Sequence, residues 1–287
     1  MKISATLVVG ILTLTVLAGC SGSGGSAPGP TKIVFTSDRN GTYDIFLMNA
    51  DGTGLVALVT AGTDDTQPSL SPNGKKLACR SDGFGHGMQV IDLAQNTAEL
   101  IDADGQYPKW SPDGTKIAYY KTVNGFDQIF VADLNTMTKT QLTSGNFDNR
   151  FPSWKPDGTK IAFATNRDGN FEIYVMNSDG SNPMRITFHN SAIDTAPAWS
   201  PDGSKIAFSS NRSGNFDIHV MTSEGASPMP LAAHPAYDGL PSWSPDGTQI
   251  VFESDRDSSL EIYRVNVDGT NLVNLTNDPS DDNQPSF

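Results

Sequence analysis

Six aspartates stand at corresponding points of this 287-residue chain: Asp65, Asp104, Asp148, Asp194, Asp238 and Asp282, each three or four residues ahead of a proline. Gathered round one axis, their carboxylates would make a negative funnel for a cation, a basic peptide or an amine-bearing ligand. Each could equally accept backbone N–H groups of its own turn, as aspartate does in many loops. The segments around four of them, "LTSGNFDNRF", "ITFHNSAIDTA", "LAAHPAYDGL" and "LTNDPSDDNQ", differ from one another and contribute Phe147, Arg150, His189, His234 and Tyr237. His189 and His234, with a neighbouring aspartate, have the residue types of a transition-metal site, though a loop histidine in solvent needs no ligand. A second oxygen-rich run, "DRNGTYD" (38–44), spaces oxygen ligands as a calcium loop would, but lacks the glycine and terminal glutamate spacing of an EF-hand loop. The same run opens a recurring pair, Arg39 with Asp44, Arg167 with Glu172, Arg212 with Asp217 and Arg256 with Glu261. Across a hairpin these predict cross-strand ion pairs, each contributing about 0.2–1 kcal/mol. No G-x-S-x-G nucleophile elbow is present. No catalytic residue and no cofactor are predicted, with a bound cation such as calcium the alternative.

What must position these residues is a repeat. "FPSWKPDGTKIAFATNRDGNFEIYVM" (151–176) returns as "APAWSPDGSKIAFSSNRSGNFDIHVM" (196–221). The apolar run after the P-D-G turn begins at Ile33, Leu77, Ile117, Ile161, Ile206 and Ile250, in steps of 44, 40, 44, 45 and 44 residues. Short β-like runs at such a period, joined by P-D-G and Asp-Gly turns, are the signature of propeller blades. In the fifth unit the four strands are predicted at Pro197–Ser200, Lys205–Ser209, Phe216–Met221 and Met229–Ala232. The first unit begins at its second strand, and the chain ends in "DDNQPSF", which reads as a first strand. The expectation is an all-β, six-bladed propeller of four-stranded antiparallel blades over residues 31–287, closed by the C-terminal strand pairing into the first blade, which removes exposed sheet edges. Trp110, Trp154, Trp199 and Trp243, with Leu70 and Phe287 in the same slot, are expected between blades. Strand direction puts the P-D-G and Asp-Gly turns on one face, the bottom, and the variable inter-blade loops on the other, the top.

The formal net charge of −13 argues against nucleic acid, which needs clustered Lys and Arg. Of the two cysteines, Cys79 reads as a small buried residue. Lys2 and the apolar segment that follows read as a secretory signal over residues 1–19. Its end, Leu17-Ala18-Gly19-Cys20, looks like the lipobox of bacterial lipoproteins, a resemblance that implies cleavage before Cys20 and lipid on its sulfur. Two or more acyl chains anchor stably where one is marginal. Ser21 in place of an aspartate favours, by that analogy, the outer membrane. Residues 20–30 then form a flexible Gly/Ser tether.

The pattern P-x-W-S-P-D-G-x-x-I-A-F-x-S-x-R-x-G-x-x-D-I resembles the repeat of TolB-type six-bladed propellers, over about residues 31–287. The resemblance implies a ring that binds other proteins. Members carry a separate N-terminal domain, for which residues 1–30 are too short, and are usually free in the periplasm rather than anchored. The expected function is a lipid-anchored, monomeric cell-envelope scaffold that binds a protein or peptide on its top face, touching the membrane by its anchor alone and binding no nucleic acid. Candidate binding residues are the six aspartates with Arg150, His189, His234 and Tyr237. The alternatives are a metal-assisted saccharide lyase or hydrolase and a carbohydrate-binding ring. His189, His234 and acids converging on one point would favour the enzyme, and clustered exposed aromatics the carbohydrate ring.

Overall fold

The computed structural model describes residues 31–60, 62–83 and 86–287. The predicted signal segment 1–19, Cys20 and the tether to residue 30 lie outside the described residues.

The local code is clearest in the S-P-D-G-T turns. At residues 111–116, Gly114 takes a φ of +69°, a region open to glycine at little cost. Asp113 accepts hydrogen bonds from the Ser111 hydroxyl at 2.5 Å and the Thr115 N–H at 3.0 Å. These donors hold the Asp113 carboxyl below its ordinary pKa. The Ser111 hydroxyl in turn accepts the Lys116 N–H, so the chain reverses and starts the next strand. The Asp-Gly turns repeat the device: Asp179 accepts the Ser181 N–H and Gly180 has a φ of +87°.

Six four-stranded antiparallel sheets result. The innermost strands are Asp65–Leu70 (blade 2), Gln106–Trp110 (blade 3), Asn149–Trp154 (blade 4), Asp194–Trp199 (blade 5), Asp238–Trp243 (blade 6) and Asp282–Ser286 (blade 1). The last pairs with Lys32–Ser37, matching Val34 to Ser286 and Ser37 to Asp282, so the ring closes as expected. In blade 5 the strands are Asp194–Trp199, Lys205–Ser210, Asp217–Thr222 and Met229–Pro230, close to the predicted bounds.

The core lies between blades. Ala162, Ile173 and Val175 of blade 4 pack on Trp199, Ile206 and Phe208 of blade 5. Trp110, Trp154 and Trp243 each donate their indole N–H to an inner-strand carbonyl of the preceding blade, at Ser69, Lys109 and Ala198 respectively, over 3.0–3.1 Å. The tryptophan slot therefore supplies both packing and a staple between blades.

Each inner strand is also broken by a β-bulge just before its proline. Gln67, Tyr107, Phe151, Ala196, Leu240 and Gln284 all have φ between +49° and +58°. Bulges re-aim side chains, and these six line the axis of the ring.

Candidate binding face and axial cavity

The repeated Arg–acid pattern is built differently from the sequence expectation. Arg39, Arg212 and Arg256 do not bridge the hairpin to Asp44, Asp217 and Glu261. They reach inward to the first residue of the innermost strand: Arg39 to Asp282 at 2.7 Å, Arg212 to Asp194 at 2.6 Å and Arg256 to Asp238 at 2.8 Å. Arg167 meets Asn149 at that place, at 3.0 Å. Each guanidinium also lies over an aromatic of a cross-strand pair, Arg39 over Phe46 at 4.8 Å and Arg256 over Tyr263 at 4.5 Å. Those pairs are Phe35 with Phe46, Phe163 with Tyr174, Phe208 with His219 and Phe252 with Tyr263. In blade 2 the pair is Cys79 with Gln89, and Gly83 stands at the place of the arginine. The cation and the ring it covers are lost together, as a stacked unit would require.

The acids five residues after the arginines organise the loop to the next blade instead. Glu172 accepts from Arg185, the Thr187 hydroxyl and the His189 N–H at 2.6–2.9 Å. Asp217 accepts the His234 N–H and Glu261 the Asp278 N–H. In the "DRNGTYD" run, Asp38 accepts the Asp281 N–H and Asp44 accepts from Asn40.

The six aspartates are not six equivalents. Asp65, Asp194, Asp238 and Asp282 open their strands and are fully buried. Burial pushes the Asp238 and Asp282 carboxyls up in pKa even beside their arginines. Asp104 and Asp148 lie ahead of that position, which Gly105 and Asn149 occupy. Asp148 accepts the Asp127 N–H and pairs with Arg150 at 3.2 Å, and Arg150 pairs with Asp127 at 2.6 Å. Asp104 is exposed.

His189 and His234 sit in consecutive top loops, but each Nδ1 accepts a backbone N–H of its own loop, from Ala192 at 3.0 Å and Ala236 at 3.2 Å. Among the described residues no three His, Cys, Asp or Glu side chains converge to hold a metal ion. His219 is buried against Phe208 at 5.7 Å, and His86 is exposed beside Asp82. Tyr237 turns inward, where its hydroxyl donates to the buried Glu253 at 3.1 Å. It passes over Gly239, where a Cβ would lie 2.0 Å from the tyrosine oxygen. Phe188, beside His189, is 75% exposed, with the Arg185 guanidinium over its ring at 5.0 Å, and is the one exposed aromatic among the described residues.

Along the axis runs a cavity of about 330 Å³, walled from the bulge residues down to the prolines of the P-D-G turns. Its inner end is crossed by side chains. Gln284 accepts the Gln67 N–H at 2.7 Å and faces the Tyr107 hydroxyl, and Tyr107 packs edge-on to Phe151 at 4.7 Å. Glu253 accepts the Gln284 N–H at 2.8 Å, and its own pKa is raised by burial. Burial, with Glu253 nearby, pushes the Tyr107 phenol up to about 12. Below this layer one charged side chain breaks the sixfold pattern. Lys109 stands where the other blades have Ser69, Ser153, Ala198, Ser242 and Ser286. Lys109 and Glu253 were not among the residues predicted from sequence. The signal was available, since both sit where aligned copies disagree.

The fold and these surfaces define a class: a closed six-bladed propeller with a variable loop face and a narrow axial cavity. The chain belongs to the TolB beta propeller domain family, whose pattern matches residues 106–233 and 193–287. A TolB homolog of Chlorobium luteolum is 30% identical over 152 residues, covering 37% of this chain and 35% of the relative. The Tol-Pal system protein TolB of Helicobacter hepaticus is 33% identical over 119 residues, covering 38% and 28%. These matches thus span about a third of each relative's length. Among solved structures, TolB from Acinetobacter baumannii superposes with a TM-score of 0.77 at 23% identity, over 89% of this chain and 66% of that one. An oligogalacturonate lyase in complex with manganese superposes with a TM-score of 0.61 at 19% identity, over 86% and 74%, a likeness of fold.

Proposed function

We propose that this propeller is a non-catalytic scaffold of the cell envelope, lipidated at Cys20, that binds a protein or peptide through its top face. The observation that carries this reading is the contrast between the two ends of the blades. The bottom turns repeat one hydrogen-bonded design, whereas the top loops differ in sequence and present Phe188, Arg150 and His234 on a rigid ring. Variable loops on a rigid scaffold are the usual place for recognition, and an exposed aromatic with the Arg185 guanidinium over its ring suits a protein anchor. The buried aspartates serve in this reading as struts, and Asp104 and Asp148 remain as top-loop acids. A partner in a Tol-Pal type assembly is the expectation from the family. The reading requires no cofactor.

The enzyme reading has less support, because His189 and His234 are each turned to their own loops. A carbohydrate platform would use several exposed aromatics, and among the described residues Phe188 is the one exposed aromatic. Site-directed photo-crosslinking tests the face used. A crosslinker at position 188 or 234 is expected to capture an envelope protein that one at Thr159 or Asp246, in the bottom turns, does not. Capture from the bottom positions alone would reverse the assignment.

A further inference from the structure

Lys109 lies in the wall of the axial cavity, half-buried among the prolines of the inner strands and the four tryptophans. Its ammonium makes no ion pair or hydrogen bond among the described residues, and burial alone lowers its pKa to about 8. By contrast Lys155, in the turn after Trp154, is engaged with Asp157 at 2.7 Å and lies over the Trp199 ring. Five blades fill the Lys109 position with Ser or Ala, so neither the strand nor the staple needs a lysine there. An uncompensated cation in an apolar cleft is costly. A concave apolar pocket with one convergent polar group is the general form of a small-ligand site. The carboxylate on the far side of the axis, Glu253, is already bound to Tyr237 and to the Gln284 backbone.

We infer that the axial cavity binds an organic carboxylate, with its anionic end on the Lys109 ammonium and its apolar body against the proline and tryptophan walls. This site is separate from the top loops and stands whether or not they bind a protein. Two sources share the chemistry: a free small acid, and the carboxyl terminus of an extended peptide. No covalent step is involved.

Benzoate, its neutral analogue benzamide, and Gly-Gly-Phe with a free or amidated terminus are the probes. Binding to the full chain is followed by calorimetry and by emission of the four tryptophans. Saturable benzoate binding is expected, at least tenfold weaker for benzamide and for the Lys109→Met variant. Lys109→Ser, the residue four other blades use, provides a second folded control, checked by circular dichroism. Competition by free-acid Gly-Gly-Phe but not its amide would assign the source to a peptide terminus. Benzoate binding without such competition would assign it to a free acid. The inference is overturned if neither acid binds, or if benzamide or both Lys109 variants bind as tightly as the wild-type pairing with benzoate.

Discussion

Asp238 shows what the repeated carboxylate does. It is fully buried, accepts a hydrogen bond from Arg256 on each oxygen at 2.8 Å, and holds that guanidinium over Tyr263. Removing one partner of such a pair leaves an uncompensated buried charge, at a cost of about 3–5 kcal/mol. Asp238→Asn is therefore expected to lower stability by about 3 kcal/mol in urea unfolding, while Phe188→Ser stays within about 0.5 kcal/mol. Equal effects would remove the distinction between strut and presented residue. Lys109 works in the opposite sense. Its folded pKa of about 8 is below the ordinary 10.5, so between those values the unfolded chain holds more protons and stability rises with pH. Lys109→Met should stabilise the protein by on the order of 2–3 kcal/mol below pH 8, with the gain vanishing near pH 10.5. A pH-independent gain in thermal unfolding would contradict that origin. The sequence showed the aspartates but not their register. Counting back from proline made Asp104 and Asp148 members of the set, whereas hydrogen-bonding register gives those places to Gly105 and Asn149. Lys109, in "YPKW", reads as an ordinary solvent lysine until the closed ring brings its strand to the axis.

At the scale of the strand and blade, the apolar runs and glycine turns were legible because each is a local code: a continuous run of apolar residues buried on both faces, a glycine at positive φ, an aspartate accepting the next N–H. The arginine partners were not, because Arg39, Arg212 and Arg256 each have two acids at repeat positions and only the strand order chooses between them. The tryptophan slot was correctly placed between blades, and the structure adds its hydrogen bond. That bond makes a graded prediction. Trp243 donates to the Ala198 carbonyl at 3.0 Å, while the buried Trp199 indole N–H has no partner among the described residues. Trp243→Phe should cost about 1 kcal/mol more than Trp199→Phe, the worth of one such bond. Equal costs in chemical denaturation would mean that the staple contributes nothing.

For the whole molecule, ring closure decides whether the blades form one cooperative body. Residues Gln284–Phe287 bond to Glu253, Gln67 and Ser242 and pair with the first strand, so they join blades 6, 1 and 2. Deleting them should open the ring and lower the melting temperature by several degrees. An unchanged melting temperature would refute closure as a source of stability. The central claim concerns the top face, and one comparison tests it most directly: co-purification from detergent-solubilised envelope with three baits. These are the wild-type chain, Phe188→Ser with His234→Ala, and Lys155→Ser at the bottom turn, all shown folded by circular dichroism. A partner retained by the wild type and the bottom-turn variant but lost from the top-face variant is the predicted result. The same partner held equally by all three baits would contradict a top-face binding role.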